Sequence, residues 1–402
     1  MDLQGIKSVL SEYLGDEHVI ENADMSEYCS FRCGGRAALL VTAHDMDALR
    51  YALYVMRGAD ALFSDCGSRN GILDCGGKTE YSAAESCESR TCSFEQCNSG
   101  GCGSDGHGCF SDSDAADCGS RNCAAVGCGK APQCGSCCGG RREGSSGCCK
   151  AGQSAKTADV MIIGNGSNIL VRDGGFDGVI IKLGDAFTKI EQDGKRITAG
   201  AAALLSTVSK EAAQRGLTGM EFAGGIPGSL GGAVYMNAGA YGGEMKDAVK
   251  SVKAISPDGM REYTSDVSEL ALSYRHSIFT ENGDIVTEVT LELENGDKAE
   301  IEKTMRELAE KRSAKQPLKF PSAGSFFKRP EGYFAGALIE EAGLKGLSVG
   351  GAQVSPLHAG FIVNTGGATA SDVISLMKLV QNTVKDKSGI ELVPEVRIIG
   401  RD

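Results

Sequence analysis

No stretch of 18 consecutive apolar residues occurs in the chain, which excludes a membrane-spanning helix. Positive charge is in deficit. Lys and Arg total 41 against 53 Asp and Glu, a formal net charge of −12. This balance argues against nucleic acid as the main partner, because binding phosphate backbones depends on clustered cations. The five histidines fall in neither HxxxH nor HExxH spacing, so no histidine-based catalytic metal site is expected in the core. A GxSxG nucleophile elbow is missing, which disfavours a serine hydrolase. The first residues carry no apolar signal core, and a cytoplasmic protein is expected.

Glycine and cysteine are abundant but unevenly spread. Of 17 cysteines, 15 lie between Cys66 and Cys149. Residues 58–157 consist largely of Gly, Ser and Cys and hold almost no Val, Ile, Leu or Met. Such a segment buries too little apolar surface to offset its ordering entropy. At about 100–200 residues per domain the 402 residues suggest two or three domains, and the 300 or so outside this segment have ordinary globular composition. The chain therefore reads as a conventional protein carrying an atypical insertion.

Outside the insertion the pattern is mixed α+β rather than a regular βαβ alternation. Residues 1–25 read as a short helix with a polar tail. Residues 37–42 read as a strand, and Asp45 as the cap of a helix over 46–57. Strands are expected at 160–163, 169–171, 179–183, 253–256, 285–293, 359–363 and 396–399. Helices are expected at 204–215, closed by Gly216, and at 300–315, 334–342 and 371–387.

Several motifs carry chemistry. Gly164-Asn165-Gly166-Ser167-Asn168 follows a strand without being GxGxxG. Its backbone N–H groups and side-chain donors suit a phosphate, and a plain tight turn fits equally well. Residues 223–241, including Ile226-Pro227-Gly228-Ser229 and Gly232-Ala233, are rich in glycine yet apolar. Either the backbone approaches a flat cofactor there, or two sheets pack at a glycine corner. Tyr274-Arg275 sets a guanidinium beside an aromatic ring, suited to a carboxylate or phosphate. Ser325, among small and aromatic residues, has no neighbouring histidine base. A proton donor or a turn serine remains. Glu395 opens an apolar strand. Cys29 and Cys33 read as small apolar residues.

Taken in order, these motifs resemble the UDP-N-acetylenolpyruvoylglucosamine reductase family, in its shorter type. The carriers include Phe31-Arg32-Cys33-Gly34-Gly35, the two glycine blocks, Asn237-Ala238-Gly239-Ala240-Tyr241-Gly242, Tyr274-Arg275, Ser322 to Phe327, and Pro394-Glu395-Val396-Arg397. The resemblance implies a vanillyl-alcohol-oxidase-like, PCMH-type FAD-binding fold in two subdomains plus a carboxy-terminal α+β substrate-binding domain. The corresponding boundaries are 1–57 and 158–296 for the FAD-binding part and 297–402 for the substrate domain. It implies NADPH as reductant, FAD held without a covalent tether, and UDP-N-acetylglucosamine enolpyruvate as substrate, in peptidoglycan precursor synthesis. By motif position, Arg275, Ser325 and Glu395 are catalytic. Arg275 stabilises an enolate, Ser325 delivers a proton to it, and Glu395 either donates a hydrogen bond or holds the other two in place. Gly164, Asn165, Gly166, Ser167, Asn168, Ile226, Pro227, Gly228, Ser229, Gly232 and Ala233 are implied to bind the cofactor. Tyr274 and Asn237 are implied to bind substrate.

For residues 58–157 a low-complexity insertion, a thiolate tract loading soft metal ions such as Zn or Cu(I), a disulfide framework and an artefact of gene assembly are the competing readings. Paired CxxC at fixed separation is absent. An FAD oxidase of the same fold, or a metal-binding protein on an inactive reductase scaffold, are the rival functions.

Overall fold

The computed structural model describes residues 2–57 and 158–402. The first helix, α1 (Leu3–Leu14), is capped by Asp2, whose carboxylate accepts from the N–H of Gly5. It buries Ile6, Leu10 and Leu14 and stops at Gly15, which has φ +94°. The expected polar tail instead contains an edge strand, β1 (Val19–Asp24). Only Val19 and Ala23 of β1 are buried, so its sequence carries too little apolar signal to announce a strand.

β1 pairs antiparallel with β2 (Arg36–Ala43). Asp45 accepts a 2.8 Å hydrogen bond from the N–H of Ala48 and starts α2 (Met46–Met56). Such a cap contributes about 1 kcal/mol. Helix α2 buries Leu49, Ala52, Leu53 and Met56. The chain then returns in β3 (Val160–Ile163), β4 (Ile169–Val171) and β5 (Phe176–Leu183). The first sheet has the order β1-β2-β5-β3, with β2 and β3 both parallel to the central β5. Residues 58–157 thus interrupt a strand–helix–strand crossover, at the joint between α2 and β3.

A second, antiparallel sheet of five strands is built from β6 (Ile190–Asp193), β7 (Arg196–Gly200), Val249–Ile255, Glu262–Asp266 and Ile285–Glu292. β6 and β7 form a hairpin that the sequence reading overlooked. Its turn is the Gly194-Lys195 pair after Asp193, with Gly194 at φ +57°. Asp-Gly flanked by Ile190 and Ile197 was the available signal. The helix Leu205–Gln214 closes near Gly216 (φ +68°), as expected. A large apolar cluster joins both sheets to α1, α2 and this helix, through Leu39, Val41, Leu53, Val179, Ile181, Val208 and Val289.

The carboxy-terminal part has its own cluster around the helices Ala335–Glu341 and Ala370–Ser388 and a three-stranded sheet. The expected strand at 359–363 lies at Ile362–Asn364, because the N–H of Phe361 closes a turn onto the carbonyl of His358. Phe31 and Phe326, both fully buried, meet edge to face with centroids 6.1 Å apart. This contact fastens the amino-terminal loop to the segment that carries Ser325. Cys29 and Cys33 are buried in the same cluster, and burial pushes the Cys33 thiol up to about 12. They are packing residues, as read from the sequence. The last strand, Arg397–Ile399, leaves this part and pairs parallel with β4.

The crossover from β2 to β3 needs only α2 and a short joint, and the described residues on either side form three apolar clusters among themselves. A variant carrying a short linker in their place is expected to unfold in one cooperative thermal transition with a full complement of secondary structure by circular dichroism. Loss of that transition would show that the replaced segment is part of the folding unit.

Candidate active site

A cavity of about 1280 Å³ opens where the two glycine blocks meet the carboxy-terminal part. Its volume exceeds the range of about 300–1000 Å³ typical of single small-ligand sites. One wall is the loop 164–168 between β3 and β4. Gly166 has φ +60°, and a Cβ there would stand 1.9 Å from the carbonyl oxygen of Tyr28. At Gly164 a Cβ would meet the Ser229 hydroxyl at 2.1 Å. Both glycines therefore serve the close seating of this loop on its protein neighbours. Asn165 donates from Nδ2 to the carbonyl of Pro227 at 2.6 Å, joining the two glycine blocks.

The second block proves to contain a helix, Leu230–Tyr235, which its glycines hid from sequence reading. Ser229 caps it by accepting from the N–H of Gly232. Gly231 presses on Ala201, where a Cβ would meet the alanine Cβ at 2.7 Å. Gly228 differs: a Cβ there would find only ordinary contact, 3.4 Å from the Ser167 hydroxyl. The block is thus both a cavity wall and a packing corner. Gly164, Asn165, Gly166, Ser167, Asn168, Ile226, Pro227, Gly228, Ser229, Gly232 and Ala233 all line the cavity.

Arg275, Ser325 and Glu395 line it as well, although 50 and 70 residues separate them in the chain. The Nε of Arg275 donates to Oε1 of Glu395 at 2.7 Å, and both side chains are largely buried. Burial pushes the Glu395 carboxyl above its ordinary range, while the charge of Arg275 and the hydrogen bond from it act in the opposite direction. The Arg275 backbone sits in the left-handed region at φ +55°, as does Ala271 at +48° in the same loop. Ser277 anchors that loop by donating to the carbonyl of Tyr235 at 2.7 Å. Ser325 projects its exposed side chain from a turn at Gly324, where φ is +75°. The next residue, Phe326, donates its N–H to the carbonyl of Gly360 and accepts from the N–H of Glu395, both at 2.8 Å. Ser325 and Glu395 are therefore held on adjoining, hydrogen-bonded segments.

Two of the expected site residues do not reach the cavity. Asn237 is fully buried, and its side-chain amide is spent on the protein. Nδ2 donates to Glu244 at 3.0 Å and to the carbonyl of Ser273 at 2.9 Å, and Oδ1 accepts from the N–H of Lys246. Asn237 thus braces the Arg275 loop from behind. The hydroxyl of Tyr274 accepts from the N–H of Arg329 at 2.9 Å and lies outside the lining. Other lining residues were given no role by the sequence: Lys182, Tyr235, Arg312, Lys315, His358 and Arg397. Their one sequence signal was a cation two residues past Glu395. Arg397 donates to the hydroxyl of Tyr235 at 2.8 Å. Tyr235 lies inside the 223–241 block, and the others lie on regular elements or turns without any motif.

Among the described residues no group of three or more His, Cys, Asp or Glu side chains is placed to hold a metal ion. The expected soft-metal tract at 58–157 lies outside the described residues. Among the described residues, too, no helix is long and apolar enough to cross a membrane. The cavity suits FAD by its lining: two glycine loops meet along one wall, and Lys182, Arg312 and Lys315 bring cations suited to phosphates.

Comparison with known proteins agrees. A family model described as FAD binding domain matches residues 151–264, and one described as UDP-N-acetylenolpyruvoylglucosamine reductase, C-terminal domain, matches residues 316–399. The chain is similar to the UDP-N-acetylenolpyruvoylglucosamine reductase of Clostridium perfringens, strain SM101, with 54% identity over 242 residues, covering 60% of this chain and 79% of that protein. The Agathobacter rectalis reductase of the same name is 52% identical over 263 residues, covering 62% and 83%. The crystal structure of the same reductase from Thermus caldophilus superposes with a TM-score of 0.62 at 28% identity, over 95% of this chain and 98% of that one. With its FAD-binding α+β fold, its cavity and these relatives, the chain belongs to the UDP-N-acetylenolpyruvoylglucosamine reductase family.

Proposed function

We propose that the protein reduces the enolpyruvyl group of UDP-N-acetylglucosamine enolpyruvate to the lactyl group of UDP-N-acetylmuramate, in the cytoplasmic synthesis of peptidoglycan precursors. The observation that carries this reading is the buried Arg275–Glu395 pair beside Ser325, on the wall of a cavity that two glycine loops also line. Bound FAD, with NADPH as its reductant, supplies the hydride chemistry. The protein's residues serve the other half of the reaction.

Hydride addition at C3 of an enolpyruvyl ether leaves negative charge that spreads from C2 into the carboxylate. Arg275 binds that carboxylate and stabilises the enolate as it forms. Its guanidinium is pre-positioned because Glu395 holds the Nε. That bond supports the holding role for Glu395, one of the two roles open to it from the sequence. A carboxylate buried beside a fixed cation keeps the pair in one geometry while the remaining guanidinium N–H groups stay available. Ser325, exposed to the cavity, donates the proton to C2. A serine hydroxyl is a weak acid in water, so its contribution rests on proximity to a strongly basic carbon. Oxidation of an alcohol would call for a base at this position. The serine and the paired cation favour reduction instead.

Replacing Ser325 with Ala is expected to leave NADPH-driven bleaching of the flavin nearly unchanged and to slow reoxidation by the enolpyruvyl substrate about 10²–10⁴-fold, the usual contribution of a general acid. Stopped-flow absorbance of the two half-reactions checks this, and equal loss in both would remove Ser325 from proton delivery. The glycine loops give a second test. Gly228→Val adds bulk on the open cavity side, so it should fold normally and purify with reduced flavin content. Gly166→Val drives a side chain into the carbonyl of Tyr28 from a left-handed backbone, so its melting temperature should fall as well. Full flavin content in Gly228→Val would place the cofactor elsewhere.

A further inference from the structure

We propose that Asn168 is a positioning residue for proton delivery: its side-chain amide fixes the main chain of Glu395, so that the cofactor loop and the catalytic pair move as one unit. The proposal rests on the roles given above to Glu395 and Arg275.

Asn168 closes the loop 164–168, and its Nδ2 donates to the carbonyl oxygen of Glu395 at 3.0 Å. The second Nδ2 hydrogen points to the sulfur of Met236, also at 3.0 Å, at the end of the helix Leu230–Tyr235. The backbone carbonyl of Asn168 accepts from the N–H of Arg397 at 3.0 Å. One residue therefore grips the chain on both sides of Val396. The opposite edge of Glu395 is held by its N–H on Phe326, beside Ser325. With its main chain clamped from both sides, Glu395 has little freedom except through its side-chain torsions, and those end on Arg275.

The orientation of the amide follows from its partner. A carbonyl oxygen cannot donate, so the nitrogen must face Glu395 and the oxygen must lie on the other side. That oxygen has no partner among the described residues, and Asn168 lines the cavity. The donor half of the side chain thus serves the catalytic segment, and the acceptor half is left for a donor group of whatever fills the cavity. Filling the cavity would then tighten the seat of Glu395 before substrate arrives.

The test uses the full-length flavin-loaded enzyme and two variants. Asn168→Asp keeps an acceptor and loses the donor, and Asn168→Ala loses both. Single-turnover rate constants report only on flavin-loaded molecules, so partial loss of cofactor does not obscure them. For both variants, reoxidation by the enolpyruvyl substrate is expected to slow about tenfold or more beyond any slowing of reduction by NADPH, the scale of losing one buried hydrogen bond. Equal slowing of the two half-reactions, unchanged rates, or complete loss of FAD in both variants would overturn the proposal. Glu395→Gln measured in parallel separates the two levels. Slower reoxidation there, with unaffected Asn168 variants, refutes this coupling alone. Unaffected reoxidation in Glu395→Gln refutes the assigned role of Glu395 and the coupling together.

Discussion

The parallel pairing of Arg397–Ile399 with β4 is the constraint on which the rest of the site depends. Its register sets Arg397 opposite Ile169, one residue past the cofactor loop and two past Glu395. A shift of one residue would turn Arg397 away from Tyr235 and strip Asn168 of its carbonyl partner. Three residues of pairing are a weak restraint alone. Here they are reinforced by Phe326 and Glu395 on one side and by the buried Phe31–Phe326 contact on the other. Removing an aromatic of that kind from a core costs about 3–5 kcal/mol. The register is thus secured by packing remote from the chemistry.

The Arg275–Glu395 pair shows how burial and charge are balanced. Two ions removed from water lose hydration that their attraction only partly returns, and breaking such a pair costs about 3–5 kcal/mol because one charge is left stranded. Burial works against ionisation of Glu395, and the guanidinium works for it. The pair is therefore a poor device for stability and a good one for geometry. Lysine could not take the place of Arg275, since a point charge bound to Glu395 has no second planar edge to offer a carboxylate.

Much of this was legible in the sequence. Each motif marks a place where the backbone must do something unusual, and such places tolerate few residue types. Gly166 and Gly324 are of this kind, and the motifs that hold them lie on the cavity wall. Elements with weak local patterning were lost. β1 is polar because it lies at a sheet edge, and the helix Leu230–Tyr235 is short and glycine-bearing because Ala201 needs the space. Asn237 lies outside the cavity lining for a different reason. Its side chain is polar and its motif neighbours line the cavity, but its backbone at φ +43° turns the amide inward to brace another loop. Sequence order carries no information about which way such a residue faces. Lys182, Lys315 and His358 were illegible because the cavity is assembled from distant elements, and no local pattern distinguishes them from other surface residues.

The loop bearing Arg275 holds two non-glycine residues, Ala271 and Arg275, in left-handed conformation. Each costs on the order of 1–3 kcal/mol. Ser277, Asn237 and the paired backbone of Ser273 and His276 supply the restraint that keeps them there. Relief of that strain would favour the folded state by a similar amount, and a backbone change at Arg275 would move the guanidinium that Glu395 holds. Selection for thermal robustness and selection for turnover therefore pull this stretch in opposite directions. Ala271 lies outside the cavity lining, so strain can be relieved there without removing a group from the site. At Arg275 the strain and the catalytic cation cannot be separated.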